Sequence, residues 1–366
     1  MKKLLLATAL SAAGFMIAMP AVAVEFDRDD GAKPVTIAVF GDWPYNQNLL
    51  DNANLLTGSI NADPNVSLAM HVGDIHSGSA ACTSADILPP IAGSNPGWNQ
   101  KVYFQFQQFK KPLVYTPGDN EWTDCHKSKE KSSGAPLKEL ASVRSLFFAK
   151  PGRTLGLTEQ MVWSQSQHFD PAYPADAKFV ENVMWMDGKV LFVTVNVPGS
   201  NNDTAPWTGN FADPAAQAQE VAERTDADLR WLQAAFDFAK KHHARAVVIG
   251  QQADMWDPEA LASNELYAYT PYVQKLADLV LDFGRPVLLL NGDSHVYGAD
   301  RPLADPNSAT GVIHNTRPVP NLTRITVQGS TNAPAEWLRL TIDARKPQPF
   351  SWENVVYCKD PAGSCQ

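Results

Sequence analysis

Only four of the 366 residues are cysteines, and no two of them are spaced as C-x-x-C. That scarcity argues against a zinc site built from thiolates. Beyond its first residues the chain has no unbroken apolar run near the roughly 18 residues that a membrane-crossing helix needs. It also lacks an excess of positive charge. Lys and Arg number 30 against 39 Asp and Glu, a formal net charge of -9, which argues against a nucleic-acid backbone as partner. There is no G-x-S-x-G elbow, no P-loop and no G-x-G-x-x-G after a strand-like run. These absences set aside the α/β-hydrolase nucleophile, the Walker-type phosphate cradle and the dinucleotide fingerprint. No internal repeat, low-complexity tract or linker divides the chain, so one domain over residues 24–366 is expected.

The N-terminus is MKKLLLATALSAAGFMIAMPAVA. Lys2 and Lys3 precede an apolar stretch from Leu4 to Met19, and Ala21-Val22-Ala23 supplies small residues for cleavage. This reads as a secretory signal peptide over residues 1–23, cut after Ala23, with a retained N-terminal anchor as the alternative. The mature protein is expected to be exported, periplasmic or secreted, with no stable membrane insertion. An even cysteine count then suggests disulfides. Cys358 and Cys365 enclose a short loop containing Pro361 and Gly363 and are natural partners, which leaves Cys82 with Cys125. Trp43, Trp98, Trp122, Trp207 and Trp256 fall in loop-like segments. They either line a cleft or pack the loops down.

Short runs rich in Val, Ile, Leu and Phe predict buried strands over 35–40, 68–72, 112–115, 189–197, 245–249 and 286–290. Helical spacing of Leu229, Leu232, Phe236 and Ala239 predicts a helix from about Pro214 to His243. A second is expected over Pro271 to Phe283. Further strands are expected over 322–327, 337–342 and 350–356. Strands alternating with helices indicate an α/β architecture. Long loops over 82–98, 124–136, 201–213 and 300–319 are of the kind that cover or carry a site.

Four of the expected strands end in the same way. Gly41-Asp42, Gly73-Asp74, Gly118-Asp119 and Gly292-Asp293 each deliver an aspartate straight after a glycine. A single Gly-Asp after a strand is ordinary turn chemistry, but four in order are not. Ligands of α/β sheets bind outside the carboxyl ends of the strands. Several carboxylates converging there repel one another unless cations join them. The pattern predicts a site for one or two divalent metal ions with mostly oxygen ligands.

From Val35 to about His295 the chain resembles the calcineurin-like metallophosphoesterase family, whose ordered motifs are D-x-H, G-D-x-x, G-N-H-[DE], a later histidine, and G-H-x-H. Here they read Gly41-Asp42-Trp43-Pro44, Gly73-Asp74-Ile75-His76, Gly118-Asp119-Asn120-Glu121, Gly250-Gln251-Gln252 and Gly292-Asp293-Ser294-His295. The Gly41-Asp42-Trp43 stretch also resembles the opening of purple acid phosphatases. The resemblance implies a four-layer α-β-β-α sandwich of two mixed sheets flanked by helices, with a two-metal centre at one edge. It implies Asp42 and His295 at the first metal and Asp74 bridging both. Asp119, Asp293 and Gln251 or Gln252 stand where the second metal's ligands are expected, and Asn120 occupies the place of a catalytic histidine.

The departures are as informative. Pro44 stands where a ligating histidine is expected, and Tyr45, His76 or His126 are the candidates to fill vacated positions. His76 and His126 are the candidates to protonate a leaving group. His71, inside a strand, reads as structural. A set rich in carboxylates favours Mn, Mg, Ca or Fe over Zn. The expected activity is metal-dependent hydrolysis of a small phosphomonoester or phosphodiester. The alternative is the same fold with its chemistry lost, kept as a metal- or ligand-binding protein. Gly292-Asp293-Ser294 also suggests a GDSL-type esterase, but that serine is late in the chain and no Asp-x-x-His follows it.

Overall fold

The computed structural model describes residues 33–82 and 97–365. The expected signal peptide and most of the loop before Trp98 lie outside the described residues. The strands are β1 Val35–Phe40, β2 Val66–Val72, β3 Leu113–Thr116, β4 Trp163–Ser164, β5 Val183–Asp187, β6 Val190–Thr194, β7 Ala246–Gly250, β8 Val287–Asn291, β9 Gly298–Asp300, β10 Leu322–Thr326, β11 Ala335–Ile342 and β12 Phe350–Cys358. They form a five-stranded sheet, β12-β11-β1-β2-β3, and a seven-stranded sheet, β4-β5-β6-β7-β8-β10-β9. Both are mixed. β1, β2 and β3 run parallel, while β11 is antiparallel to both of its neighbours, β1 and β12. In the second sheet β6, β7, β8 and β10 run parallel, with antiparallel strands at each edge.

Alternation along β1 shows how the layers stack. Ile37 and Val39 point into an apolar cluster shared with Leu68, Met70, Phe192, Val248 and Leu290, which lies between the two sheets. Ala38 and Phe40 point the other way, against residues of helices Ala53–Ala62, Trp98–Phe106 and Pro136–Phe147. On the far side of the second sheet, helices Pro214–Lys241 and Thr270–Phe283 pack Leu232, Phe236, Val273, Leu276 and Val280 against Leu191, Val247 and Leu289. The α/β expectation is therefore met as two mixed sheets face to face with helices outside each. Strands buried on both faces need continuous apolar sequence, and each such side chain contributes about 1.5–3 kcal/mol on burial.

Local signals set the ends of the helices. Asp213 caps the long helix by accepting from Ala216 N–H, and Pro214 opens its first turn. Gly284, with φ 66°, ends Thr270–Phe283 in a left-handed step that suits a residue without Cβ. The expected cysteine pairs are both present, Cys82–Cys125 and Cys358–Cys365. They fit an oxidising compartment. Among the described residues no helix is long and apolar enough to cross a membrane.

Candidate metal centre at the strand ends

The carboxyl ends of β1, β2 and β3 from one sheet and β7 and β8 from the other meet at one place. The loop after β1 is tied to the loop after β2 by Asp42 N–H to Gly73 O and Trp43 N–H to Asp74 O, both 2.9 Å. His71, in β2, holds the same junction from behind. Gly73 N–H donates to its Nδ1 at 3.2 Å, so the ring carries its proton on Nε2 and donates to Trp43 O at 2.9 Å. The glycines of the joints are sterically required. A Cβ on Gly118 would lie 2.0 Å from Asp74 Oδ1, and one on Gly292 would lie 2.5 Å from Asp42 Oδ2. Asp42, Asp74 and Asp293 themselves turn through left-handed backbone, at φ 50°, 63° and 73°. Non-glycine residues adopt it rarely, and it concentrates at functional sites.

Asp42, Asp74, Asp119, Asp293 and His295 are brought together. The Tyr45 hydroxyl stands among three of them, 3.1 Å from Asp42 Oδ1, 2.8 Å from Asp74 Oδ2 and 3.2 Å from His295 Nε2. His295 Nε2 also lies 3.3 Å from Asp42 Oδ1. Ligand-type atoms of Asp42, Asp74 and His295 all fall within 4.8 Å of one another. Asn120 Nδ2 donates to Asp74 Oδ2 at 3.0 Å and to Tyr45 Oη at 3.0 Å. On the other side, Gln252 Nε2 reaches Asp119 Oδ1 at 3.0 Å, Asp293 Oδ1 at 3.2 Å and Asp74 Oδ2 at 3.3 Å.

This crowd of carboxylates is short of protons. Tyr45 offers one hydroxyl hydrogen to two carboxylates, and Asp42 Oδ2 is buried with no partner at all. Burial, then the neighbouring charges of Asp119, Glu121, Asp42 and Asp293, hold the Asp74 carboxyl well above its usual range. Burial followed by Asp119 does the same to Asp293, and burial followed by Asp124 raises Asp119. A buried anionic oxygen without a donor is costly, and a divalent cation is the partner that such a donor set accepts. The residues present therefore fit metal binding.

Three sequence-derived candidates do not reach the cluster. Gln251 is turned away, its Nε2 donating to Ala253 O. Gln252 faces the carboxylates through nitrogen, because its Oε1 is taken by Gly199 N–H at 2.5 Å. It is therefore a donor that draws the carboxylates together, not an oxygen ligand in this arrangement. The His76 ring is buried, with Nδ1 3.2 Å from Ser77 O and Nε2 unpartnered. Burial lowers its pKa to about 4, so near neutral pH the ring is uncharged. The His126 ring is engaged by Thr208, whose N–H donates to Nδ1 at 3.0 Å, and burial lowers its pKa as well. Of the candidates for vacated positions only Tyr45 is at the site. Trp43, Trp122, Trp207 and Trp256 are buried, so they pack the loops down.

Sequence reading missed the turn that closes the site on the Asp119 side. After Gly199, residues Ser200, Asn201, Asn202 and Asp203 all have positive φ, from 52° to 61°. Left-handed backbone costs about 1–2 kcal/mol per non-glycine residue and normally occurs singly. The Ser200 hydroxyl lies 3.0 Å from Asp119 Oδ2 and 2.6 Å from Asp124 Oδ1, and it accepts from Lys127 Nζ at 2.7 Å. Buried Arg224 donates to Asn202 Oδ1 at 2.5 Å and Asn202 O at 3.0 Å while lying over the Trp122 ring and pairing with Glu220. The sequence signals were the long loop expected over 201–213 and the polar run Gly199-Ser200-Asn201-Asn202-Asp203 that leads into it.

His71 gives a pH prediction. Burial depresses its folded pKa to about 4 from an unfolded value of about 6.5. Between those values the unfolded chain takes up a proton that the folded chain refuses. Stability contributed by neutral His71 is thus complete above about 6.5 and is lost as pH falls toward 4, by about 3 kcal/mol at most. The raised carboxyls titrate in the opposite sense. Urea midpoints of wild type and His71→Gln at pH 7.5, 6 and 4.5 isolate the term, and the two curves should converge at the lowest pH. Parallel curves would refute it.

No family model and no curated protein matches this chain. A solved structure titled "GAP50 the anchor in the inner membrane complex of Plasmodium" aligns over 89% of this chain and 90% of its own, with 11% identity and a TM-score of 0.43. At that level the likeness supports no argument about fold or function.

Proposed function

We propose that the protein is an exported, metal-dependent phosphoesterase of the calcineurin-like metallophosphoesterase type, acting on a small phosphomonoester or phosphodiester. The observation that carries this reading is the convergence of four strand-end aspartates on one buried cluster in which Asp42 Oδ2 has no partner. The face-to-face mixed sheets agree with the metallo-dependent phosphatase architecture that the ordered motifs imply. Asp42, Asp74, His295 and the Tyr45 oxygen would hold one cation. Asp74, Asp119 and Asp293 would hold a second, and Mn, Mg, Ca or Fe suits them better than Zn. Such ions supply a water of lowered pKa and neutralise charge on the phosphoryl group.

The chain's own residues do the rest. Asp74 faces both halves of the cluster and is the natural bridge. Asn120 fixes Asp74 and Tyr45 through its amide and can donate a hydrogen bond but no proton. Gln252 holds Asp74, Asp119 and Asp293 in one group. With the His76 ring neutral and His126 held by Thr208, neither serves the leaving group, whose proton then comes from solvent.

The test is metal analysis of the purified protein, followed by hydrolysis of p-nitrophenyl phosphate and bis-p-nitrophenyl phosphate with Mn²⁺, Mg²⁺, Ca²⁺, Zn²⁺ and Fe²⁺ added to stripped protein. Turnover that is restored by one of these ions and abolished by chelation is expected. Metal uptake without turnover of either ester would instead favour the reading as a metal-binding protein on the same scaffold.

A further inference from the structure

We infer that Ser200 is a positioning residue of the metal centre, fixing which oxygen of Asp119 faces the cations. The inference rests on the metal-centre reading above, and three features of the loop after β6 carry it.

The first is the division of labour at Asp119. Its Oδ1 accepts from Gln252 Nε2 at 3.0 Å, on the side shared with Asp74 and Asp293. Its Oδ2 faces the Ser200 hydroxyl at 3.0 Å. A hydrogen-bond donor on one carboxylate oxygen orients the other toward a cation and lowers the freedom of the ligand. The Thr123 hydroxyl, by contrast, donates to the Asp119 carbonyl and not to its carboxylate. Lys127 Nζ, at 2.7 Å, donates into the serine oxygen, so the one hydroxyl hydrogen is shared between Asp119 Oδ2 and Asp124 Oδ1, the latter nearer at 2.6 Å.

The second is the close approach at Gly199. A Cβ there would lie 2.6 Å from Asp119 Oδ2 and 2.9 Å from Asp293 Oδ1. The turn is pressed against two of the carboxylates, and its glycine is what permits this.

The third is how firmly the left-handed turn is clamped. Asn201 Oδ1 accepts from Ala268 N–H at 3.0 Å. Asn202 is held by Arg224 and by Thr225 Oγ1 at 3.0 Å. Asp203 O accepts from Gln217 Nε2 at 2.6 Å, and Trp207 Nε1 donates to Asp203 Oδ1 at 2.8 Å. Asn201 is thus fixed from Ala268, while Asn202 and Asp203 are both held by helix Pro214–Lys241, with Trp207 as a further contact on Asp203. Unfavourable backbone that is over-determined in this way concentrates where a group must be placed closely, and the group placed here is the Ser200 hydroxyl.

Two substitutions separate the hydroxyl from the backbone. Ser200→Ala removes the hydroxyl and keeps a residue that resists left-handed φ. Ser200→Gly removes the hydroxyl and relaxes the backbone. Mn²⁺ titration of stripped protein by calorimetry, with electron paramagnetic resonance to tell a coupled ion pair from isolated ions, reads the outcome. Wild type should take up two ions per chain. Both variants should bind the first ion as wild type does and the second about 10–100-fold more weakly, losing the coupled signal at intermediate Mn²⁺. Ser200→Gly should unfold at a temperature at or above that of Ser200→Ala. Variants that titrate like wild type overturn the inference. So does a Ser200→Gly protein that regains the affinity lost in Ser200→Ala, since the backbone and not the hydroxyl would then be responsible. Wild-type protein that takes up no Mn²⁺ overturns the metal-centre reading together with this one.

Discussion

If the protein is the metal-dependent phosphoesterase proposed above, Asp74→Asn is expected to leave it folded but without metal and without that activity. The substitution removes the charge and, at the Oδ1 position, the hydrogen bond accepted from Asn120 N–H at 3.3 Å. Tyr45, Asn120 Nδ2 and Gln252 Nε2 approach Asp74 Oδ2 at 2.8, 3.0 and 3.3 Å, and an amide oxygen can accept from each of them. What disappears is the one carboxylate that faces both halves of the cluster. Without it the Asp42–His295 and Asp119–Asp293 groups have no shared anion to hold two cations together. Activity should fall to that of stripped wild type. In chelator the comparison reverses. Asp74 is buried among Asp119, Glu121, Asp42 and Asp293, and it is held well above the usual carboxyl range by that burial and by those charges. Removing a like charge from such a group is worth on the order of 1 kcal/mol, so the metal-free variant should unfold at a higher temperature than metal-free wild type. Metal content by mass spectrometry and thermal unfolding with and without chelator decide it. Full metal occupancy in Asp74→Asn would refute the bridging role.

Arg224→Ala is expected to be among the most destabilising single changes, at about 3–5 kcal/mol, the cost of removing one partner from a buried ion pair. The guanidinium is fully buried. It pairs with Glu220 through Nε at 2.7 Å and Nη2 at 3.1 Å, and it supports both the side chain and the carbonyl of Asn202. Its loss strands Glu220 and removes the main clamp on the left-handed turn. Arg224→Lys keeps the charge but not the two-pronged geometry, so its midpoint should fall between the other two. Urea unfolding of the three proteins measures the order. A midpoint for Arg224→Ala within error of wild type would show that the turn is held by its other contacts.

Much of the sheet was legible because buried parallel strands carry their burial in composition. β1 was expected over Val35–Phe40, where it is found, and most others lay within two residues of their expected limits. The helices packed on the first sheet were not legible. Trp98–Phe106 mixes Asn, Gln and Lys with its aromatics, and Ala53–Ala62 carries Gly58 and several small polar residues, so neither shows a clean stripe. β5 went unassigned because the strand was expected over 189–197 only, and the short run Val183–Asp187 before the Gly188-Lys189 turn is its hairpin partner. At the site, the repeated Gly-Asp joints named the carboxylates because the chain must bend sharply there, and that need is written in glycine. The roles of Tyr45, Gln252 and Ser200 were not written so plainly. Each is set by a contact between loops far apart in sequence, as when Ser200 meets Asp119 across 81 positions. Gln251 and Gln252 are adjacent and chemically alike. They are told apart by Gly199 N–H on Gln252 Oε1 and by Gln251 Nε2 donating to Ala253 O.

The pairing of β1 constrains the order of assembly. This strand sits inside its sheet, with β2 on one side and β11 on the other, and Thr36 meets Thr341 across 305 positions. Closing so long a loop is slow, since its entropy must be lost before the contacts are gained. Until β11 has been synthesised, β1 presents an open ladder on one edge, a surface prone to wrong pairing. The sheet that supplies Asp42, Asp74 and Asp119 therefore cannot be completed on a partly synthesised chain, and the cluster forms only after nearly the whole polypeptide is available to fold at once.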